Sequence, residues 1–132
     1  MCVRQKMSAS LVFFDLDKFK LINDSHGHVE GDRALVTFAS ILHKTLRESD
    51  LVARIGGDEF AALLLDTPKA LAVDVIARLQ ARVDEYNQQA SHDYKIDFSF
   101  GIVDFDPQVH ADVEALLADG DALMYECKQR KS

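Results

Sequence analysis

Two apolar runs, Leu51 to Ile55 and Phe60 to Leu65, are separated by Gly56-Gly57-Asp58-Glu59. A glycine pair between strand-like runs predicts a tight hairpin, because primed two-residue turns need positive φ, which glycine adopts without steric cost. The two acids after the glycines would stand at the rim of a sheet, over backbone that carries no side chains. A phosphate chain with its metal ions could approach such a surface closely. An ordinary surface hairpin has the same signature, and these four residues alone do not separate the two readings.

A second acidic cluster changes the balance. Leu11 to Phe14 is a continuous apolar run, the pattern of a strand buried on both faces, and it ends in Asp15-Leu16-Asp17. Hard cations such as magnesium take carboxylate oxygens, often only a few from the protein, with phosphates and water completing the shell. Asp15 with Asp58 or Glu59 is therefore the candidate metal set. Asp17 reads better as a helix N-cap, and Asp24 as a solvated residue near a helix end.

The chain of 132 residues is expected to be one domain, 1–132, with residues 1–10 as an irregular lead-in. A hydrophobic content of 48% with only two prolines argues against disorder. The net charge of −7 argues against a nucleic-acid binder, though not against a nucleotide substrate, whose charge is met locally by metal ions and a few lysines. Two cysteines, Cys2 and Cys127, form no disulfide framework and fit a reducing cytoplasm. No apolar run reaches membrane-spanning length, and residues 1–10 lack the apolar stretch of a signal peptide.

Periodicity supplies the rest of the chain. Phe19 and Ile22 predict a short helix after Asp17, broken at Ser25-His26-Gly27-His28, with Gly27 as a C′ residue. A longer helix is expected from about Gly31 to Arg47, since Leu35, Phe38, Leu42 and Leu46 recur at helical spacing. Asp66-Thr67-Pro68 predicts a cap followed by proline at the first helical position, opening a helix to about Gln88 striped by Ala72, Ile76, Leu79, Val83 and Tyr86. Tyr94, Ile96, Phe98, Phe100 and Ile102 alternate with Lys95, Asp97, Ser99 and Gly101, predicting a half-buried strand. A last helix is expected from about Asp112 to Gln129, with Val113, Leu116, Gly120, Leu123 and Cys127 along one face. The fold class is α/β (α+β): a mostly antiparallel sheet flanked by helices.

Other polar residues admit two readings each. Lys20 is placed to reach a phosphate, or is a plain surface lysine. Asn23 and Asp32 could read a base edge, an amide and a carboxylate together matching guanine's carbonyl and its N1/N2 donors, or could be caps. His26 and His28 flank a glycine but lack further zinc ligands nearby. Arg47 and Asp50 could mark an anion site, arginine being suited to bidentate phosphate contact, or a solvated helix end. Cys127 lies on an apolar stripe and reads as core.

Taken together, the residues from about Leu11 to Lys128 resemble the GGDEF family of diguanylate cyclases. The signature stands as Gly56-Gly57-Asp58-Glu59-Phe60, preceded by Phe14-Asp15-Leu16-Asp17-Lys18-Phe19-Lys20-Leu21-Ile22-Asn23-Asp24, Gly27-His28 and Gly31-Asp32 at the family's spacing. The resemblance implies a palm-like sandwich with a central five-stranded sheet. It implies condensation of two GTP into cyclic di-GMP, with release of two pyrophosphates, between two subunits of a homodimer that can be monomeric in isolation. It further implies two Mg2+ ions per active site, with Mn2+ as a substitute, bound by Asp15, Asp58 and the Leu16 carbonyl. Glu59 and Lys20 would assist catalysis. Asn23 and Asp32 would recognise guanine; His28, Phe19, Gly56, Gly57 and Lys128 would complete the substrate site. Arg47 and Asp50 match the family's R-x-x-D product-inhibition site. The alternative is a domain that binds GTP or cyclic di-GMP without turnover and signals through a partner. Two segments depart from the family pattern: residues 1–10 do not match its first helix, whose acid is expected to pair with the arginine at position 54, and Lys128 is followed by Gln-Arg-Lys-Ser.

Overall fold

One strand, β1 (Ala9–Leu16), is hydrogen-bonded on both edges, and the rest of the molecule is arranged about it. The computed structural model describes residues 9–90 and 94–104, together with residues 118, 122, 125–127 and 129, which are helical. The other described elements, in chain order, are α1 (Phe19–His26), α2 (His28–Thr45), β2 (Leu51–Arg54), β3 (Glu59–Leu65), α3 (Lys69–Gln89) and β4 (Phe98–Asp104). The strands form a sheet in the order β2-β3-β1-β4, and every pairing is antiparallel. The expected mixed architecture is the observed one, with four strands among the described residues where five were expected.

β1 is apolar on both faces because both faces are covered. Val12, Phe14 and Leu16 point to the side occupied by α2 and α3, where Leu35, Phe38 and Leu42 of α2 meet Ala72, Ile76, Leu79 and Val83 of α3. The helical stripes read from spacing are these core residues. On the opposite side Phe13 packs with Val103, Leu11 and Ala61 in a smaller cluster. Phe38 is fully buried and sits against three rings, with centroids 5.9 Å from Phe14, 5.5 Å from Phe60 and 5.4 Å from Phe98.

Several boundaries differ from expectation, each for a local reason. Ala9 and Ser10 belong to β1 and not to a lead-in, because they pair with Leu65 and Leu64 and the Ser10 hydroxyl donates to the Thr67 carbonyl at 2.7 Å. Gly27 alone separates α1 from α2: its φ of 89° ends one helix and starts the next, so α2 begins at His28, before Gly31. The helix also stops at Thr45, short of Arg47. Pro68 is the N-cap of α3, one position before the helix, and Asp66 takes a left-handed φ of 51° in the turn. The strand expected from Tyr94 begins only at Phe98 and runs to Asp104. Asn87 explains the delay. Its amide donates to the Ile96 carbonyl (2.7 Å) and accepts from the Ile96 N–H (2.9 Å), occupying backbone groups that a strand would pair. Nor is β4 half-buried. Phe98 and Ile102 face the helices, while Val103 packs with Phe13 on the other side. Of the last predicted helix, Cys127 is helical, half-buried and a free thiol; Val113, Leu116, Gly120 and Leu123, expected on the same face, lie outside the described residues.

Tyr94 ties the approach to β4 onto the helices. Its hydroxyl donates to Glu30 Oε1 at 3.0 Å, and its ring lies 5.0 Å from that of His26. Burial first, then the bond to Glu30, pushes the phenol up to about 12. The neutral phenol is thus favoured in the folded state, so this contribution to stability is complete below pH ~10, the unfolded value, and is lost as pH rises towards 12.

Two expectations arise from this packing. Phe38→Ala should cost about 3–5 kcal/mol, read from the shift in urea midpoint at constant slope. Tyr94→Phe should flatten the loss of stability between pH ~10 and 12, measured by denaturant melts at pH 8 and pH 11; an unchanged alkaline slope would count against the Tyr94–Glu30 assignment.

Candidate active site

The acidic end of the sheet is assembled by strand register. Asp15, at the end of β1, has Glu59 of β3 as its Cα partner on one side and Ser99 of β4 on the other. Two backbone bonds continue the grip beyond the ladder: Leu16 N–H donates to the Asp58 carbonyl (3.1 Å) and Asp17 N–H to the Asp97 carbonyl (3.0 Å). Asp15 is buried, at 8% exposure, whereas Asp58 and Glu59 are half-buried at the rim. The candidate metal residues Asp15, Leu16, Asp58 and Glu59, distant along the chain, are therefore brought together.

The hairpin between β2 and β3 is built differently from the two-residue turn expected. Residues 55–58 link the strands, and neither Gly56 nor Gly57 has a positive φ. A Cβ at 56 would lie 2.9 Å from Glu59 Oε1, the free end of a side chain that can move aside. At Gly57 a Cβ would meet nothing within 4 Å. The loop is closed by Ile55 and Gly56 N–H groups donating to the Glu59 carbonyl (2.9 and 3.4 Å) and by Arg54. The guanidinium of Arg54 donates to the Gly56 carbonyl from Nε (3.1 Å) and to the Gly57 carbonyl from a terminal nitrogen (2.7 Å). Arg54, expected to lack the acid that the family's first helix supplies, has its described partners on the turn it precedes.

Beyond Leu16 the chain turns through Lys18, which takes φ 57° as the N-cap residue of α1. Asp17 is not the cap. Its Oδ1 accepts the Ser99 hydroxyl at 2.6 Å. Phe19 is half-buried against the main core, and Lys20 is exposed on the first turn of α1. At the α1–α2 junction Asn23 lies against Gly31, where any Cβ would collide with the Asn23 amide, its Cγ within 2.8 Å. Asn23 Oδ1 is buried and has no hydrogen-bond partner among the described residues. The same first turns of α2 carry His28 and Asp32, both exposed. His26, the other half of the possible histidine pair, packs its ring at a tilt against that of Tyr94.

Arg47 and Asp50 lie at the opposite end of the sheet, before the β2 residue that pairs with Leu63. Arg47 closes onto Asp50 (3.2 Å) and donates from the same nitrogen to the Leu65 carbonyl (2.7 Å) and Thr67 Oγ1 (2.8 Å). The Asp50 side chain is only 3% exposed, and its hydrogen bond and charge raise the Arg47 guanidinium above its ordinary value. Here the two residues are a corner brace as well as an exposed cation. Lys128 lies outside the described residues.

Sequence reasoning passes over Gly31 and Ser99 as site residues. The spacing of Gly31 to Asn23 carries no signal until two helices are known to meet at one residue. Ser99 falls on the polar beat of the β4 alternation, and its full burial comes from the cover on both faces of the sheet. Among the described residues no group of three or more His, Cys, Asp or Glu side chains is assembled to hold a metal by itself, and no helix is long and apolar enough to cross a membrane.

The family model described as "Diguanylate cyclase, GGDEF domain" matches residues 1–132. The chain is 33% identical over 128 residues to the probable diguanylate cyclase DgcC of Escherichia coli K12, covering 97% of this chain and 34% of that protein. It is 36% identical over 121 residues to the cyclic di-GMP phosphodiesterase PdeB of Shewanella oneidensis, covering 89% of this chain and 14% of that one. It thus spans about a third or less of these relatives. Among solved structures, the active GGEEF domain of a diguanylate cyclase from Vibrio cholerae superposes with a TM-score of 0.83 at 26% identity, covering 93% of this chain and 78% of that one. With the signature at the β2–β3 hairpin and the family model matched from end to end, the chain belongs to the GGDEF domain family.

Proposed function

We propose that this domain is a diguanylate cyclase, joining two GTP molecules into cyclic di-GMP and releasing a pyrophosphate from each. The observation that carries the reading is the convergence of Asp15, Leu16, Asp58 and Glu59 on one rim of the sheet. This donor set is all oxygen and comes from the end of β1 and from the link and first residue of the neighbouring β3, which fits a hard divalent cation with phosphate and water oxygens completing its shell. Asp15, Asp58 and the Leu16 carbonyl would hold two Mg2+, or Mn2+, with Glu59 beside them as a further ligand or base. Such ions, when bound, supply charge neutralisation for the phosphates and favour ionisation of the attacking 3′-hydroxyl.

The chain's own residues do the rest by positioning. Asn23 would meet guanine's carbonyl with its amide N–H, the buried amide oxygen being turned towards Gly31, and Asp32, on the same helix junction, would accept from the N1/N2 donors. Phe19 and His28 border that junction. Lys20, and Lys128, would neutralise phosphate charge. The bare backbone at Gly57 lets a phosphate approach the hairpin. Chemistry of this kind needs geometry and charge, and no covalent nucleophile. Each copy holds one GTP, so the acceptor hydroxyl must come from a second copy: the working unit is a homodimer, which can dissociate when the domain is isolated, and the setting is the cytoplasm. Product binding at Arg47 and Asp50 would draw on the exposed cation while competing with its bonds to Leu65 and Thr67.

A second reading has support in the relative named a phosphodiesterase. In that reading the domain binds GTP or cyclic di-GMP without turnover and signals through a partner.

Incubation with GTP and magnesium at high protein concentration, with products separated by chromatography, distinguishes the two. Cyclic di-GMP rising faster than linearly with protein is the expected result, and Asp58→Ala should abolish it with the far-ultraviolet circular dichroism unchanged. Tight magnesium-dependent GTP binding without product would favour the second reading. Gly31→Ala should weaken GTP binding about tenfold or more by displacing the Asn23 amide, while helix content is retained; calorimetric titration checks this, and equal affinity would remove Asn23 from the site.

A further inference from the structure

Ser99 and Asp17 form a polar contact at the edge of the proposed site that neither metal nor guanine binding explains. Ser99 is fully buried, yet it stands directly across from Asp15 in the β1–β4 ladder. Its hydroxyl donates to Asp17 Oδ1 at 2.6 Å, the short distance of a charge-assisted bond. Two residues after Asp15, therefore, the chain is tied by a side chain to β4.

The tie matters because the next residue along the chain is strained. Lys18 holds φ 57°, a left-handed conformation that costs a non-glycine residue about 1–2 kcal/mol and persists only where its surroundings determine it. Among the bonds that do so are three between described residues: Leu16 N–H to the Asp58 carbonyl, Asp17 N–H to the Asp97 carbonyl, and the Ser99 hydroxyl to Asp17. The first and second belong to the backbone and survive substitution. Only the third depends on a side chain at 99. The turn they hold sets the direction of the Leu16 carbonyl and starts α1, whose first bond is Ile22 N–H to the Lys18 carbonyl and which carries Lys20 and Asn23.

We infer that Ser99, through Asp17, is a positioning residue that holds the Asp15–Lys18 turn in its nucleotide-binding shape. The inference rests on the cyclase reading and adds to it a residue that touches neither substrate nor ion. It assigns the serine of β4 a role in aligning the metal-side backbone with the helix that carries the proposed phosphate and base contacts.

The test compares wild type, Ser99→Ala and Ser99→Thr by two readouts that need no turnover: amide hydrogen exchange at residues 16 and 17, and affinity for manganese–GTP by titration. Ser99→Ala should fold, since it only removes a hydroxyl, and thermal melting checks this. Expected are exchange at Leu16 and Asp17, whose N–H groups bond the Asp58 and Asp97 carbonyls, at least about tenfold faster, affinity lower by about fivefold or more, and recovery of both in Ser99→Thr. Unchanged exchange in Ser99→Ala overturns the inference, as does faster exchange with unaltered affinity, which would make the bond a purely local support. A wild-type chain that binds no manganese–GTP overturns the cyclase reading itself, and the inference with it. Wild-type binding matched by Ser99→Ala overturns the inference alone.

Discussion

The register of β1 between β3 and β4 is the constraint on which the acidic rim depends. Side chains alternate across a strand, so a slip of one residue would turn Asp15 towards the helical core and Phe14 away from it. Asp15 would then be a carboxylate among Phe38, Phe60 and Phe98, a burial that costs several kcal/mol without a partner. Because β1 is apolar on both faces, alternation alone marks its register weakly. The polar groups at its two ends mark it strongly: Ser10 on the Thr67 carbonyl at one, and Leu16 and Asp17 on the Asp58 and Asp97 carbonyls at the other.

The two ends of the sheet have opposite characters. At one, carboxylates gather on backbone that is kept open. At the other, Arg47 gathers acceptors from three residues, Asp50, Leu65 and Thr67, and Thr67 in turn receives Ser10 through its carbonyl. Both ends use arginine the same way. Arg54 fastens the hairpin by two of its own carbonyls, as Arg47 fastens the β3–α3 turn, because a planar guanidinium can serve several acceptors in fixed directions. The site stands on a loop, but the loop is stiffened by hydrogen bonds within itself.

Much of this is legible in the sequence. The stripes Leu35-Phe38-Leu42 and Ala72-Ile76-Leu79-Val83 are the faces that α2 and α3 bury, since spacing at 3 and 4 has one outcome once a sheet is available to cover. The pairing of Asp15 with the hairpin acids is also within reach, because both clusters close or open apolar runs. Local geometry is not. Neither glycine of the pair takes a positive φ, and a Cβ at 56 would press only on the free end of the Glu59 side chain, so the turn that a glycine pair predicts is not the one formed. Asp17 reads as a cap because sequence shows only the helix after it, whereas its partner, Ser99, comes from another strand. The alternation starts β4 too early because it continues through Tyr94 and Ile96, whose polar groups are taken up by Glu30 and Asn87 instead.

The antiparallel order β2-β3-β1-β4 has a kinetic consequence. β2 and β3 are adjacent in the chain and can pair as a hairpin with little loop to close. β1 meets β4 only after the intervening helices have been spanned, and closing long loops precedes any reward from the contacts they bring. Among the described strands, Asp15 and Ser99 are therefore brought side by side by the most non-local pairing, and Asp15 and Glu59 by one that spans α1, α2 and β2. The hairpin that carries the signature can form early. Its acidic rim acquires the partner from β1 only when the long-range pairing is complete, so a nascent chain would carry the motif well before it carried the site.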